Sequence, residues 1–185
     1  MDLPEHPPRH PDVATHARPD EPRTARRHLT WLVWGMAVLV LAVDQATKAL
    51  AVRELVEGER SDLVGGLLGL QLLYNPGAAF SMGEAYTVVF TVVMVVVIAV
   101  IVRSARRLGS RGWAWALGLL LGGAAGNLVD RMLREPGPGR GEVVDFIAYA
   151  DWFIGNVADV AIVGAAALIV LLSLRGISLD GRRDA

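Results

Sequence analysis

The hexapeptide GNLVDR at residues 126–131 ends an apolar segment that begins near Trp113 and is rich in Gly and Ala. A second motif, NVAD at residues 156–159, lies in the first part of another apolar segment. A carboxylate in an apolar span is costly unless it is paired, solvated in a cavity or functional. Asp130 and Asp159 are therefore the leading candidates for a chemical site.

The apolar segments that surround these motifs predict the fold class. The chain has 185 residues, of which 53% are hydrophobic, and its mean hydropathy is +0.41. Four apolar segments each approach the roughly 20 residues that span a hydrocarbon core, which disfavours a soluble protein with buried helices. We predict an all-α membrane protein with four transmembrane helices, at about residues 31–52, 86–102, 113–129 and 152–174.

Two loops between these segments contain shorter apolar runs. The run LLGLQLLY at residues 67–74 is too short to span and is flanked by glycines, which is typical of a strand. It predicts a small β-containing extracytoplasmic subdomain between helices 1 and 2. In the later loop, the sequence PGPG at residues 136–139 predicts a turn, and VVDFI at residues 143–147 is apolar enough to rest on the bilayer surface.

The ends of the chain are polar. Residues 1–28 contain six prolines among charges of both signs and predict a disordered tail. We expect the membrane domain at residues 29–175 and a C-terminal tail at residues 176–185. The positive-inside rule places both tails in the cytoplasm, because arginines cluster before segment one, between segments two and three, and after segment four: Arg23, Arg26, Arg27, Arg103, Arg106, Arg107, Arg111, Arg175, Arg182 and Arg183.

The composition also limits the chemistry. Cys is absent, and the four histidines all lie in the N-terminal tail: His6, His10, His16 and His28. A Ser-His-Asp triad, a Cys nucleophile and a His-ligated zinc are therefore hard to build in the apolar body. We expect no metal and no cofactor. The formal net charge of −1 argues against nucleic-acid binding.

Further polar residues lie in or beside the apolar segments. Asp44 and Lys48 are four residues apart on one predicted helix face, so we interpret them as a structural ion pair. Asp130 and Asp159 could pair with cations in the same way, but two acids that face each other favour catalysis. Asn127 and Asn156 alone would be read as interhelical hydrogen-bonding residues, and Asn75 as part of a turn.

Taken together and in this order, these motifs resemble those of the bacterial lipoprotein signal peptidases, the signal peptidase II family. The resemblance covers about residues 30–175. It is carried by DQATK at residues 44–48, NPGAAF at 75–80, GNLVDR at 126–131, VDF at 144–146 and NVAD at 156–159. Two positions depart from the family pattern, since Gly155 stands where Phe is usual and Val160 where Ser is frequent.

The resemblance implies an aspartic endopeptidase of the bacterial cytoplasmic membrane, with its active site near the extracytoplasmic face. Its substrates would be diacylglyceryl-modified prolipoproteins, cut on the N-terminal side of the lipidated Cys. Membrane lipid and a globomycin-type inhibitor are further expected partners.

The resemblance also implies a role for each motif residue. Asp130 and Asp159 would be catalytic, and Asn75, Asn127, Arg131 and Asn156 would hold the substrate or orient the acids. Asp44, Lys48 and Asp145 would support the structure.

Alternative functions use the same residues differently. A small proton-coupled transporter would use the intramembrane Asp residues as a relay, but the segment at residues 86–102 offers no polar side chain beyond Thr87 and Thr91. A Ser-Lys membrane protease would use Ser81 and Lys48. A membrane scaffold without enzymatic activity is a further alternative.

Overall fold

The computed structural model of the chain describes residues 23–77 and 87–183. Within these ranges, four helices are long and apolar enough to cross a membrane, which confirms the helical prediction. They are α1 (Arg23–Glu54), α2 (Thr87–Ser104), α3 (Arg111–Leu133) and α4 (Val157–Leu174). A short 3₁₀ turn, Ala105–Arg107, lies between α2 and α3.

Helix α3 lies at the centre of the bundle and packs mainly against α1 and α4. Its glycines bring the helix backbones together. A Cβ atom on Gly122 would lie 2.6 Å from the Cβ of Val40 and 2.8 Å from the carbonyl oxygen of Ala37, both on α1. A Cβ on Gly123 would lie 2.6 Å from the carbonyl oxygen of Ala158 on α4. Small residues thus permit the close contacts on which membrane helix packing depends.

A small antiparallel sheet joins two separate loops. Over the described residues it contains, in spatial order, β1 (Arg60–Val64), β2 (Leu68–Asn75), β3 (Val143–Tyr149) and β4 (Phe153–Gly155). The predicted β-subdomain between helices 1 and 2 is therefore incomplete, because β3 and β4 follow α3. The segment at 143–147, expected to rest on the bilayer surface, lies in β3 and pairs with β2, which satisfies backbone hydrogen-bonding groups on that side.

The sheet is anchored to the end of α1 by apolar contacts. Leu72 of β2 and Val144 and Phe146 of β3 are buried in one cluster with Ala51 of α1. Side chains alternate between the two faces of a strand, so Asp145 faces the opposite way from Val144 and Phe146. Asp145 is nevertheless 2% exposed, because helix and loop residues cover that face as well.

Some boundaries differ from those predicted. Helix α4 begins at Val157 rather than near Trp152, because Asn156 is its N-cap. Helix α1 begins at Arg23, inside the predicted N-terminal tail, and residues 1–22 lie outside the described residues. Part of the predicted C-terminal tail folds back on the bundle, where the Trp113 indole N–H donates to the carbonyl oxygen of Ile177 at 2.8 Å.

The glycine contacts give a stability test. Gly122→Ala forces a methyl group into α1, and overpacking of this kind costs about 1–3 kcal/mol. Gly164→Ala on α4 is the matched control, because apart from the backbone of its own helix and its chain neighbours nothing lies within 4 Å of its Cβ position. We expect thermal unfolding in detergent to shift down for Gly122→Ala and to stay unchanged or rise slightly for Gly164→Ala. Equal midpoints for the two variants would contradict the close helix contact.

Candidate active site

One buried ammonium group organises the polar interior. Lys48 on α1 is fully buried, and its Nζ lies 2.8 Å from Asp44 Oδ2 and 2.8 Å from Asp130 Oδ2. The same Nζ donates to Asn127 Oδ1 at 2.9 Å. An ammonium has three N–H donors, so these contacts use all of them. The predicted Asp44–Lys48 pair is present, and it extends to α3.

Asp130 is part of this ionic cluster. Besides Lys48, its carboxylate contacts Arg134 Nε at 2.9 Å, four residues later on the chain. It also accepts from the backbone N–H of Val144 at 3.2 Å and from the Gln45 amide at 3.3 Å. Two cations thus neutralise Asp130, and its hydrogen bond to Val144 fixes β3 to α3.

Asp44 links three helices through the same cluster. Its Oδ1 accepts from the backbone N–H of Ala158 at the start of α4, while its Oδ2 contacts Lys48. The neighbouring Gln45 amide donates to the carbonyl oxygen of Gly126 on α3. The motif at residues 44–48 therefore positions α3 and α4 against α1.

A cavity of about 230 Å³ opens beside this cluster. Its lining combines polar groups with apolar side chains of α2. Asp145 and Asp159 are among the residues that line it, whereas Asp130 is not one of them. The lining residues are Asn75, Gly77, Phe90, Val93, Met94, Asn127, Arg131, Val143, Asp145 and Asp159.

Amide groups connect the two carboxyls of this cavity. The Asn156 side chain donates to Asp145 Oδ1 at 2.6 Å, and its backbone N–H donates to Asp159 Oδ2 at 3.1 Å. Asn75 donates to Asp145 Oδ2 at 2.8 Å, and Asn127 donates to Asp159 Oδ1 at 3.0 Å. Asn156 therefore contacts both acids, and every one of these contacts comes from a neutral group.

Burial raises the pKa of Asp145 to about 7. The hydrogen bonds from Asn75 and Asn156 act in the opposite direction, and the negative charge of Asp159 adds to the increase. Buried carboxyls that lie near each other resist simultaneous ionisation. The Asp145 carboxyl thus keeps a proton to a higher pH than an exposed Asp side chain does.

Arg131 provides a positive charge at the wall of the cavity. Its Nη1 donates to the carbonyl oxygens of Asn75, at 3.0 Å, and Gly141, at 2.7 Å. Its Nε is buried and has no hydrogen-bond partner among the described residues. The side chain is 4% exposed, so an additional acceptor entering the cavity would meet a positioned guanidinium.

Sequence reasoning assigned some of these residues differently. Asp145 was predicted as structural support, although an acid in the apolar run VVDFI is the same signal that singled out Asp130. Arg134 was missed, although its four-residue spacing from Asp130 matches that between Asp44 and Lys48. Ala78, Ala79 and Phe80 of the NPGAAF motif lie outside the described residues, as does Ser81.

Among the residues that the structure describes, no group of three His, Cys, Asp or Glu side chains is arranged to hold a metal ion.

Removal of the buried ammonium tests the ionic cluster. Lys48→Met leaves Asp44 and Asp130 buried with one cation fewer, and breaking such a pair costs about 3–5 kcal/mol. We expect a large loss of thermal stability in detergent, partly recovered by adding Asp130→Asn. Arg53→Met is the control on the same helix, because the Arg53 side chain is 82% exposed. A Lys48→Met protein as stable as the Arg53→Met protein would contradict this arrangement.

Comparison with known proteins identifies the family. The profile of the family described as signal peptidase (SPase) II matches residues 36–175. The chain is 46% identical over 166 residues to a lipoprotein signal peptidase of Mycolicibacterium smegmatis, covering 89% of this chain and 70% of the relative. It is 46% identical over 175 residues to one of Rhodococcus jostii, covering 95% and 87%.

A solved structure has the same fold. It is described as a bacterial membrane enzyme structure by the in meso method at 1.9 Å resolution, and it aligns with a TM-score of 0.66 at 27% identity. The alignment covers 76% of this chain and 90% of that one. Together with the buried acids and the membrane helices, these similarities show that the chain is a protease and belongs to the signal peptidase II family.

Proposed function

We propose that this protein removes signal peptides from diacylglyceryl-modified prolipoproteins, with Asp145 and Asp159 as an aspartic catalytic pair. The similarity to lipoprotein signal peptidases supports the substrate class. The observation that carries the mechanism is the cavity in which the buried carboxyl of Asp145 and the partly buried carboxyl of Asp159 share Asn156 as a common hydrogen-bond donor. Asp145 replaces Asp130 in this proposal, because Asp130 is already neutralised by Lys48 and Arg134.

Hydrolysis requires one acid to be ionised and the other to be protonated. The ionised carboxylate removes a proton from a water molecule, whose oxygen attacks the carbonyl carbon of the scissile bond. The protonated carboxyl donates to the carbonyl oxygen, and a tetrahedral intermediate forms. When this intermediate collapses, the C–N bond breaks and a proton passes to the leaving amine. The products are the signal peptide with a free carboxyl group and a lipoprotein whose lipidated Cys has a free amine.

The pKa of Asp145 suits the role of the protonated partner. A carboxyl with a pKa of about 7 keeps its proton where an ordinary Asp would be ionised. The two acids nevertheless titrate as a coupled pair, so the single proton belongs to both. The positive charge of Arg131 offsets the remaining negative charge of the pair.

The other cavity residues can bind the substrate. The Nε–H of Arg131, which has no hydrogen-bond partner among the described residues, is suited to donate to a substrate carbonyl oxygen. Asn75, Asn127 and Asn156 orient the acids through the hydrogen bonds described above. A globomycin-type peptide would inhibit by occupying this cavity and displacing the attacking water. Asp44, Lys48 and Asp130 then have a structural role, because their ionic cluster holds together the helices that carry the site.

The expected setting is the bacterial cytoplasmic membrane. The arginine clusters favour cytoplasmic tails, which puts the sheet and the catalytic pair near the extracytoplasmic face. There the pair lies where the start of α4 meets the sheet, within reach of a signal peptide that spans the membrane and of the lipid on its Cys.

The alternative functions are less compatible with the interior. Towards the other end of the bundle, α1 and α3 pack through an apolar cluster that includes Val33, Leu117 and Leu121, which disfavours a proton path. In a Ser-Lys protease, Lys48 would serve as base, yet its ammonium is fully engaged by Asp44, Asp130 and Asn127.

Substitution of the two acids tests the catalytic pair. Asp145→Asn and Asp159→Asn should each lower kcat by at least about 10³-fold, because a pair with one carboxyl cannot serve as both acid and base. Asp130→Asn should lower stability but keep cleavage per folded molecule within roughly 30-fold of the parent. The measurement is signal-peptide release from a purified diacylglyceryl-modified prolipoprotein in detergent.

The folded fraction of each variant must be measured in parallel, by thermal unfolding and by size-exclusion chromatography. Near-normal turnover by either Asp145→Asn or Asp159→Asn would refute the pair. If folded Asp130→Asn lost as much activity as those two variants, Asp130 would have to be included in the chemistry. Absence of cleavage by the parent protein would refute the proposed substrate.

The raised pKa of Asp145 predicts how activity depends on pH. As the pH rises through about 7, the shared proton is lost, both acids ionise, and the acid that protonates the carbonyl oxygen disappears. We expect kcat/KM to fall above about pH 7, measured with the lipidated substrate while the folded fraction is monitored at each pH. A kcat/KM that stays constant from pH 6 to 9 would show that this proton is not required.

A further inference from the structure

The ring of Phe153 fills the space beside Gly155, next to the catalytic pair. Gly155 is buried at the end of β4. A Cβ atom there would lie 2.5 Å from Phe153 Cε1 and 3.0 Å from Asp159 Oδ2. Residues two apart on a strand share one face, so Phe153 reaches over Gly155 from the same side. The absence of a side chain at position 155 therefore allows an aromatic ring close to Asp159.

One face of the Phe153 ring packs against Tyr149, and the side chain is otherwise exposed. Phe153 pairs with Tyr149 across β3 and β4, and their rings stack with centroids 6.0 Å apart at an interplanar angle of 24°. Phe153 is still 49% exposed. Such a ring provides a fixed wall with one face open to a ligand.

That open face borders a second cavity, of about 450 Å³, which is almost entirely apolar. Asp159 lines this cavity as well as the polar one, so the two cavities meet at the catalytic carboxyl. The residues that line the apolar cavity are Tyr149, Phe153, Asp159, Val160, Ile162 and Val163.

The linings of the two cavities suit two different kinds of ligand. A peptide backbone needs hydrogen-bonding partners, and Asn75, Asn127 and Arg131 supply them in the polar cavity. The apolar cavity offers few such groups. Val160 and Val163 on its outer side are 51% and 67% exposed, so the cavity opens along the lipid-facing surface of α4. A hydrocarbon chain that starts at the cleavage site could leave it directly into the bilayer.

We propose that the apolar cavity receives an acyl chain of the substrate's diacylglyceryl group, and that Phe153 is a specificity-determining residue for this lipid. The inference rests on the proposed function, since it assigns one part of the same substrate to a second cavity. Phe153 does not take part in proton transfer, and its contribution is made through contact with the chain.

The test compares two substrates that share one peptide and differ only in their lipid. One carries an S-dipalmitoylglyceryl group, and the other carries an S-diacetylglyceryl group, whose acyl chains are too short to reach along the cavity. Phe153→Ala removes the wall. It should lower kcat/KM for the dipalmitoyl substrate by about 10-fold, mainly through KM, and for the diacetyl substrate by less than about 2-fold, since reshaped apolar pockets discriminate on this scale.

A second variant narrows the cavity and leaves the ring in place. Val160→Phe should also lower kcat/KM for the dipalmitoyl substrate more than kcat/KM for the diacetyl substrate. Val170→Phe is the matched control, because Val170 is likewise exposed but lies roughly 15 Å further along α4 at 1.5 Å per residue. Val170→Phe should leave kcat/KM unchanged for both substrates.

Two failures are distinguishable in this experiment. If the parent protein cleaves neither substrate, the proposed function itself is wrong. The other failure requires that the parent cleaves the dipalmitoyl substrate. If Phe153→Ala and Val160→Phe then change kcat/KM by the same factor for both substrates, or leave kcat/KM unchanged for both, the lipid assignment is overturned while the proposed function stands.

Discussion

The buried ammonium of Lys48 is the interaction on which the rest of the interior depends. It is the chain's one lysine, it is fully buried, and it connects α1 to α3 through Asp130 and Asn127 while it pairs with Asp44 on its own helix. A buried charge is tolerated only when it is paired and hydrogen-bonded. Because Asp44 also accepts from the start of α4, loss of this single cation would loosen three helices together.

In the proposed mechanism, the ionic cluster also determines which acids remain available for chemistry. Asp130 is in contact with two cations, whereas Asp145 and Asp159 accept from asparagine side chains and backbone N–H groups. Identical side chains thus receive different chemical properties from their surroundings. Neutral donors orient a carboxyl without neutralising it, so a pair of acids held in this way can share a proton.

Local patterns in the sequence predicted the helices and one of the ion pairs. The apolar segments are long enough to be recognised without tertiary information, and Asp44 and Lys48 lie four residues apart on a single helix. The position of Asp145 could not be obtained in this way, because β3 pairs with β2 about 70 residues earlier in the chain. Periodicity carries no information about such long-range pairing, so only the run at residues 67–74, which corresponds to β2, was predicted as a strand of this sheet.

The junction between β4 and α4 explains how the two acids keep their relative positions. Asn156 directly follows β4 and caps α4, and the Asp159 carboxylate accepts from the Asn156 backbone N–H in a reciprocal capping box. Asp159 is thereby fixed by the first turn of its own helix, whereas Asp145 is fixed by the sheet. Since the Asn156 amide also binds Asp145, one residue couples the membrane helix to the sheet at the point where the proposed mechanism activates a water molecule.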